Sequence, residues 1–358
     1  MGRLCLLGIE NICLVLLLCA CGSGNIPSGS LGETSSKRIY IAGCYSDGSN
    51  VRASYWTDNN TTPTTVGAAS QNSNAYALAV SGGHVYTAGY YYDGSNDTRA
   101  CYWTDNNTIP TTLGAAGQSS SVMALAVSDG HVYTAGSYID GSNSRACYWT
   151  DGNTTPTTVG APGYDSFASG IAVSGGHVYT SGHYYDGSND RACYWTDNNN
   201  TPTTVGTPGH DSYAYVVVVV GGHVYTAGGY VDGFYTRACY WTDNNIIPTT
   251  VGSVGQYSFA SALAVSGGHI YTAGTYYDGT SNRACYWTDN NTTPTTVGAP
   301  GQISGVSGIT ISGGSVYIGG SYNDGSSNRA CYWVDNSTIR ITVGAIGVDS
   351  HTYAFVVQ

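Results

Sequence analysis

Short runs of apolar and aromatic residues recur along the chain, separated by clusters of Gly, Asp, Asn and Ser. In the stretch 74–120 the four runs are 75–80, 84–92, 99–104 and 110–113. The Asp93-Gly94 pair between the second and third runs is a hairpin signal, because such a turn requires positive φ. Pro110 is tolerable only at the start or edge of a strand. The pattern therefore predicts four short antiparallel strands.

This pattern repeats at an almost constant spacing. Every Trp of the chain lies in a copy of the third run, Arg99-Ala100-Cys101-Tyr102-Trp103-Thr104-Asp105, and successive copies are 46 or 47 residues apart. A period of this length with four strands per unit matches one blade of a β-propeller. The seven copies are marked by Trp56, Trp103, Trp149, Trp195, Trp241, Trp287 and Trp333.

The phase of the repeat predicts how the array ends. The first recognisable strand begins at Ile39 and matches a second strand, whereas the last run, 353–357, matches a first strand. In a ring, that last run would complete blade 1 and remove the exposed edge that an open array presents. We therefore expect an all-β fold over residues 37–358. It is a seven-bladed β-propeller with four antiparallel strands per blade, whose C-terminal strand closes blade 1.

Residues 1–21 are interpreted as a targeting segment. The apolar run 12–18 is too short to span a bilayer, which needs about 20 residues. Leu18-Cys19-Ala20-Cys21 resembles the lipobox of bacterial lipoproteins, which implies cleavage before Cys21 and lipid attachment to Cys21. Plain secretion and an uncleaved anchor remain as alternatives. Residues 22–36 are rich in Gly and Ser and are expected to form a flexible tether.

The lipobox resemblance also implies a destination. The residue after Cys21 is Gly22 and not Asp, which fits an outer-membrane lipoprotein if the cell has two membranes. We thus expect an exported protein of the bacterial cell envelope. Its contact with the membrane would be made through the lipid anchor only.

Composition and charge narrow the expected partners. Gly and Tyr are abundant at 50 and 32 residues, and charged residues make up 9%, which suits strands joined by tight turns. The net charge is −11, and most of the 11 Lys and Arg are the single Arg that recurs in each repeat. No basic patch for a phosphate backbone is predicted, so nucleic acid is not an expected partner. We expect a monomer whose partner is an unidentified protein or glycan.

Residues present in every copy are interpreted as framework. The repeated Arg is expected to pair with a turn Asp. Six equivalent Cys should be buried free thiols, because packed sheets lie about 10 Å apart and a disulfide needs Cα atoms within about 7 Å. The His that opens the second strand in five copies is not expected to bind a metal, because turns on separate blades diverge. No cofactor is predicted.

The repeat as a whole resembles the extracellular HAF-type repeat of bacteria. The residues that carry the resemblance are Gly89-Tyr90, the segment from Ala100 to Trp103, and Leu113-Gly114 to Gly117 with Ser120. The resemblance implies a surface propeller and no established chemistry.

Candidate binding residues are sought where the copies disagree. The most variable segment is the connection between a fourth strand and the next first strand, which should gather at the channel mouth beside the Asp-Gly turns. A Ser that recurs at its end is predicted to bond the backbone. Drift on an unselected surface is the alternative explanation of the variability. The candidates are Gln71, Gln118, Tyr164, Asp165, His210, Asp211, Gln256, Tyr257, Gln302, Asp349 and His351.

Three classes of function remain after these steps. The first is a binding or adhesion module that takes a glycan or protein ligand through the variable loops. The second is a structural surface protein without a small ligand. The third, a propeller glycosidase or lyase, is less supported, because the repeats contain no Glu and two carboxylates at a workable spacing are not evident. No catalytic residue is assigned.

Overall fold

Each repeat folds into one antiparallel sheet, as shown by a computed structural model that describes residues 37–94 and 97–358. Blade 1 contains β1 (Ile39–Ser46), β2 (Val51–Thr57) and β3 (Thr64–Thr65). Blade 2 contains β4 (Ser73–Ser81), β5 (His84–Tyr92), β6 (Thr98–Thr104) and β7 (Thr111–Thr112). Blade 3 contains β8 (Ser120–Ser128), β9 (His131–Asp140), β10 (Asn143–Thr150) and β11 (Thr157–Thr158). Blade 4 contains β12 (Ser166–Ser174), β13 (His177–Tyr185), β14 (Asp190–Thr196) and β15 (Thr203–Thr204).

The remaining strands continue the same order. Blade 5 contains β16 (Ser212–Val220), β17 (His223–Asp232), β18 (Tyr235–Thr242) and β19 (Thr249–Thr250). Blade 6 contains β20 (Ser258–Ser266), β21 (His269–Tyr277), β22 (Asn282–Thr288) and β23 (Thr295–Thr296). Blade 7 contains β24 (Ser304–Ser312), β25 (Ser315–Asn323), β26 (Asn328–Val334) and β27 (Ile341–Thr342). The last strand, β28 (Ser350–Val357), joins the sheet of blade 1.

The seven blades form a closed ring. The first strand of each blade contacts the first strand of the next, and β28 contacts both β24 and β4, so first strands lie nearest the axis. β28 pairs antiparallel with β1, and the closure ends in two backbone hydrogen bonds between Arg38 and Gln358, of 2.8 and 2.9 Å. The predicted seven-bladed propeller, with its C-terminal strand in blade 1, is confirmed.

Residues 1–36 are outside the described part of the chain. The predicted signal peptide (1–21), its Cys21 and the tether (22–36) therefore stay predictions. Within the described ranges, no helix is long and apolar enough to cross a membrane.

The fourth strands are shorter than the sequence pattern predicts. In blade 2 the strand is Thr111–Thr112 and not 110–113. Pro110 has no N–H to donate, and the N–H groups of Leu113 and Gly114 both donate to the carbonyl of Ala100, at 2.8 and 3.1 Å. The chain therefore leaves the regular ladder after two residues.

The third strand carries the largest buried side chains. All seven Trp are at most 2% exposed, and the six equivalent Cys are fully buried. Every Cys in the described residues is free, which confirms the expectation for the repeated thiols. Burial raises the pKa of the Cys101 thiol well above its usual value, so it acts as a small apolar side chain.

The Asp that follows each third strand has a left-handed backbone, with φ of 55° at Asp151. Its carboxylate accepts hydrogen bonds from the Val132 N–H at 3.0 Å and from His131 Nδ1 at 2.9 Å. The bond from the Val132 N–H, aided by His131, holds the pKa of Asp151 below its usual value. The repeated His is thus part of a turn within its own blade, which accounts for its recurrence at this position.

The repeated Arg joins three segments. Arg99 donates through Nε and Nη2 to the carbonyl of Gly114, at 2.9 and 2.7 Å, and through Nη1 to Asp93 at 3.4 Å. Equivalent Arg–Asp pairs occur in all seven blades at 2.6–3.8 Å, as predicted. Each pair ties the third strand to the Asp-Gly turn and to the connection that leaves the blade.

The Ser that begins each first strand has a role in joining blades. Ser120 is buried, and its Oγ accepts a hydrogen bond from the N–H of Ala100, in the third strand of the preceding blade, at 3.1 Å. A Cβ added to Gly114 would collide with this Oγ, so the Gly is required there. The same bond, at 3.0–3.1 Å, occurs at all seven blade junctions and confirms the predicted backbone-bonding role.

Substitution of one junction serine should destabilise the ring measurably. Ser258→Ala leaves the buried N–H of Ala238 without its acceptor, and we expect a loss of about 1–3 kcal/mol in the free energy of unfolding. Ser253→Ala is the control, because the Ser253 hydroxyl makes only an exposed 3.4 Å bond to Thr292 and its loss should cost less than about 0.5 kcal/mol. Denaturant unfolding of both variants measures the difference, and equal stabilities would contradict the assigned role.

Candidate functional site

The candidate loops lie at the same end of the ring as the Asp-Gly turns. Antiparallel strands alternate in direction, so the turn between second and third strands and the connection into the next blade share one end. Backbone bonds join them: Tyr92 N–H donates to Asn72 O at 3.0 Å and Ser46 N–H donates to Asp349 O at 3.1 Å. We call this end the loop face.

Three of the candidate carboxylates cap strands of the preceding blade. The Oδ1 atoms of Asp165, Asp211 and Asp349 accept hydrogen bonds from backbone N–H groups at 2.8–2.9 Å. The donors are Ser144, Asp190 and Asn328, each at or beside the start of a third strand. These carboxylates therefore hold the framework, and the second oxygen of Asp349 is also engaged, 3.1 Å from His351 Nε2.

Several of the other candidates bond their own blade or the one they lead into. Gln118 and Gln256 donate through Nε2 to the carbonyls of Ile139 and Tyr277, at 3.0 and 2.6 Å. His210 Nδ1 lies 3.0 Å from the carbonyl of Val231, and Gln302 accepts a bond from Arg340 at 3.0 Å.

The rest of the candidates lie apart from one another. Gln71 is half-buried and its backbone N–H donates to the carbonyl of Ala68, whereas Tyr257 packs on Phe259 with ring centroids 6.0 Å apart. Tyr164 is 52% exposed. The eleven candidates are thus distributed around the ring, and the structure places only Asp349 and His351 beside a common cavity between blades 1 and 2.

That cavity has a volume of about 410 Å³ and opens at the loop face between blades 1 and 2. We call it the seam cavity. Its walls come from the first and second strands of both blades, together with the adjoining turns. The lining residues are Cys44, Tyr45, Ser46, Val51, Asn72, Asn74, Tyr76, Tyr90, Tyr92, Asp349, His351 and Tyr353.

Aromatic rings make up a large part of the cavity wall. The Tyr76 ring is 4.6 Å from that of Tyr353 and 5.6 Å from that of Tyr90, measured between centroids. Tyr92 meets Tyr90 edge to face at 5.7 Å and is 37% exposed. His351 stacks on Tyr353 at 6.3 Å. The packed rings hold one another in place; Tyr76 and Tyr353 are only 8% and 5% exposed, so Tyr92 is the most exposed ring of the group.

The polar groups of the cavity are fixed by short hydrogen bonds. Asn74 Nδ2 donates to the Tyr90 hydroxyl at 3.0 Å, and Asn72 Oδ1 accepts the N–H of Val51 at 2.9 Å. His351 Nε2 lies 3.1 Å from Asp349 Oδ2. The cavity therefore offers oriented amide, imidazole and hydroxyl groups between aromatic rings.

Cys44 is the one cysteine in the described residues outside the third-strand position, and it is a neutral thiol. It is 3% exposed, and its Sγ lies 3.8 Å from the hydroxyl of Tyr353. Burial raises the pKa of Cys44 to about 11 and also raises the pKa of Tyr353. Both groups are protonated at neutral pH, so Cys44 is not an activated nucleophile.

The equivalent space between blades 4 and 5 is filled by side chains. His183, which corresponds to Cys44, stacks on Phe167 at 5.1 Å and meets Tyr213 edge to face at 5.0 Å. Tyr213 corresponds to Asn74, and its hydroxyl donates to Asp190 at 3.1 Å. The smaller Cys44 and Asn74 therefore leave open, between blades 1 and 2, the room that two rings occupy between blades 4 and 5.

The variable-loop prediction missed the strand positions that form the cavity. One is the residue after the second-strand Gly, occupied by Cys44, Tyr90, Ser137, His183, Gly229, Thr275 and Ser321. The other is a β-bulge in the first strand, where the register skips Tyr76 between Ala75 and Ala77. Its occupants are Tyr76, Met123, Ser169, Tyr215, Ser261, Ser307 and Tyr353. Disagreement among the copies is as large at these positions as in the loops and could have revealed them.

No group of three or more His, Cys, Asp or Glu side chains within residues 37–94 and 97–358 is arranged to hold a metal ion. The seam cavity itself contributes one carboxylate and one imidazole, which bond each other.

Comparison with known proteins defines the fold class and no narrower group. No family model matches the sequence, and no curated protein matches it. A crystal structure of a puromycin hydrolase mutant (S511A) complexed with PGG superposes with a TM-score of 0.58 at 10% identity, over 86% of this chain and 52% of that one. A puromycin-hydrolyzing peptidase of Mycobacterium tuberculosis gives a TM-score of 0.50 at 11% identity, over 80% and 47%. The chain spans about half the length of these hydrolases, and the likeness shows the propeller fold alone.

The filled space between blades 4 and 5 predicts that the stability of the folded protein depends on pH. His183 Nδ1 is buried without a hydrogen-bond partner among the described residues, and burial lowers the pKa of His183 although the charge of Asp190 opposes this. The unfolded chain, with a His pKa of about 6.5, therefore binds more protons as the pH falls below that value. The contribution of His183 to stability is present above this pH and is lost below it.

We expect the free energy of unfolding to fall between pH 7.5 and 5.5, and to fall less in His183→Thr, which carries the residue found at this position in blade 6. His84→Thr, a change at an exposed imidazole, is the control and should retain the fall. Chemical denaturation at several pH values measures the slopes. Identical slopes in the wild type and both variants would rule out His183 as the source.

Proposed function

We propose that the protein is a ligand-binding module and that its seam cavity takes a glycan. The observation that supports this proposal is the composition of the wall, in which the rings of Tyr76, Tyr90, Tyr92 and Tyr353 alternate with fixed amide and imidazole groups. A sugar ring has apolar C–H faces that stack on aromatic rings, and its hydroxyls need donors and acceptors at defined positions. Pockets with aromatic walls and a few oriented polar groups are typical ligand sites.

The charges of the cavity support binding over hydrolysis. Among the described residues that line it, Asp349 is the only carboxylate, and both of its oxygens are engaged, one by Asn328 N–H and the other by His351. Most glycosidases use two carboxyl groups about 5–9.5 Å apart. The protonated thiol of Cys44 offers no nucleophile in their place. A glycosidase or lyase is therefore the weaker alternative at this site.

The loop contacts favour a structural role for part of the variable surface. Asp165 and Asp211 accept capping bonds from backbone N–H groups of the ring itself. The presence of an Asp at these positions is therefore explained without a bound ligand. A structural surface protein remains the alternative for the ring as a whole, and the seam cavity is what favours a binding module.

Removal of the most exposed ring of the cavity should weaken glycan binding. Tyr92→Ala deletes one stacking face at a partly exposed position, and we expect at least about a fivefold loss of affinity for any glycan that the wild type binds on a glycan array. Tyr277→Ala is the matched control: Tyr277 is the equivalent residue in blade 6, is 42% exposed, and lies outside the cavity. Calorimetric titration with the glycan found on the array gives the affinities. Equal losses in both variants, or no glycan bound by the wild type, would contradict the proposal.

We also propose that the protein is exported and lipid-anchored through Cys21. The support is the sequence Leu18-Cys19-Ala20-Cys21 and the Gly/Ser-rich segment that separates it from the first strand. A lipid-tethered ring would be held in the cell envelope, in the outer membrane of a double-membrane cell. There it could meet surface glycans or proteins.

The position of the modified cysteine gives a test with a built-in control. In bacterial cells fed a radiolabelled fatty acid, the wild-type protein and Cys19→Ser should be labelled, whereas Cys21→Ser should not. The control removes a thiol two residues away and keeps the small residue and the Cys that the lipobox requires. Labelling that survives Cys21→Ser would place the lipid elsewhere, and no labelling of the wild type would favour plain secretion.

A further inference from the structure

Blade 4 contains a second pocket, of about 450 Å³, separate from the seam cavity. It lies where the connection from blade 3 passes over the outer part of blade 4. Its aromatic and apolar walls are Tyr164, Tyr184, Tyr185, Trp195 and Pro202, and Asp186 stands at its edge. Trp195 is 1% exposed and forms part of the floor, whereas Tyr164 is 52% exposed and forms one side.

Two substitutions distinguish the lining of this pocket from its equivalent in blade 6, where Ser253 replaces Ala161 and Gln256 replaces Tyr164. Blade 6 carries the same residues at five of these positions, namely Tyr276, Tyr277, Trp287, Pro294 and Asp278. Where blade 4 has Tyr164, blade 6 has Gln256, whose amide donates to the carbonyl of Tyr277 at 2.6 Å. The residues at this position in blades 1 to 7 are Val348, Gln71, Gln118, Tyr164, His210, Gln256 and Gln302. Blade 4 alone has a Tyr there.

Three polar groups of the wall are already engaged within the protein, whereas the buried Nε1 of Trp195 has no hydrogen-bond partner among the described residues. The Tyr184 hydroxyl lies 3.0 Å from Thr204 Oγ1, and the Tyr185 hydroxyl donates to the carbonyl of Gly187 at 2.9 Å. The Asp186 carboxylate is paired with Arg191 at 3.0 Å, so its charge is balanced. What the pocket offers to a ligand is therefore mainly the faces of aromatic rings and the Pro202 ring, with little net charge.

We propose that this pocket binds an uncharged aromatic ring, and that Tyr164 is the residue that creates the site. Stacked or edge-to-face contacts with the Tyr rings would provide the attraction, and the apolar floor would exclude water. The ring could belong to a free phenol-like molecule or to an aromatic side chain of an extended peptide. Both share the chemistry that the pocket recognises.

The test uses two probes and two reciprocal variants of the whole protein. The probes are p-cresol and a blocked peptide with one Tyr flanked by Ala, and binding is followed by ligand-observed NMR titration. In Tyr164→Gln, which carries the residue of blade 6, we expect binding of the recognised probe to weaken by about threefold to tenfold. The double variant Ser253→Ala, Gln256→Tyr gives blade 6 the equivalents of Ala161 and Tyr164 and should acquire a second site of similar affinity.

The outcomes distinguish a small aromatic molecule from a protein side chain as the ligand, and they also include results that would overturn the proposal. Tighter binding of p-cresol assigns the pocket to small aromatic molecules, and tighter binding of the peptide assigns it to a protein side chain. Either result supports the proposal if Tyr164→Gln weakens it. Binding unaffected by Tyr164→Gln, or no second site in the blade 6 variant, would overturn the proposal. So would displacement of p-cresol by tetramethylammonium at equal concentration, because the pocket would then be a cage for cations.

Discussion

The contact on which the ring depends is the one between the third strand of each blade and the connection that leaves it. There the Arg guanidinium bonds the Gly carbonyl while the Ser hydroxyl accepts the buried Ala N–H, as in Arg99, Gly114, Ser120 and Ala100. Because the Ser belongs to the next blade, this small network fixes the position of each blade against its neighbour. The same network recurs at the junction of blades 7 and 1, where Ser350 of the closing strand accepts the N–H of Ala330. The ring is therefore closed by the same kind of junction that joins the other blades.

Most of the fold could be predicted from the sequence because its interactions lie within one repeat or between equivalent positions of adjacent repeats. The phase of the repeat predicted β28 in blade 1, and recurrence predicted the buried thiols and the role of Ser120. The seam cavity could not be predicted in this way. It results from the sizes of Cys44, Asn74 and Tyr353, which are far apart in the chain, and a comparison of the loops alone does not test how such side chains fit together. For the same reason, the variability of Asp165 and Asp211 did not reveal that they cap strands of the preceding blade.

The internal repeats provide a comparison between a filled and an open site on the same backbone. Between blades 4 and 5, the ring of His183 lies between Phe167 and Tyr213, whereas between blades 1 and 2 the smaller Cys44 and Asn74 leave about 410 Å³ open. Blade 4 and blade 6 provide a second comparison, in which Tyr164 replaces a Gln that bonds the backbone. In both cases the framework is shared and the side chains at equivalent positions differ. Binding specificity in such a ring can change without any change in the fold.

The small side chain of Cys44 leaves a cavity because the backbone beside it cannot move inward to fill the space. The residue before Cys44 is Gly43, and an added Cβ there would collide with the carbonyl of His351 in the neighbouring strand. In blade 2, a Cβ added to Gly89 would likewise collide with the carbonyl of Asn74 in the adjacent strand. Within each of the two blades, the first and second strands are thus already at their closest distance, at the β-bulge where the register skips one residue. A closely packed framework relaxes only partly when a side chain is shortened, so the removed volume persists as a cavity. The same Gly contact occurs at Gly182 and Gly228 in blades 4 and 5, where the space is filled. The glycines therefore keep the framework rigid in every blade, and the neighbouring side chains decide which space between blades stays open.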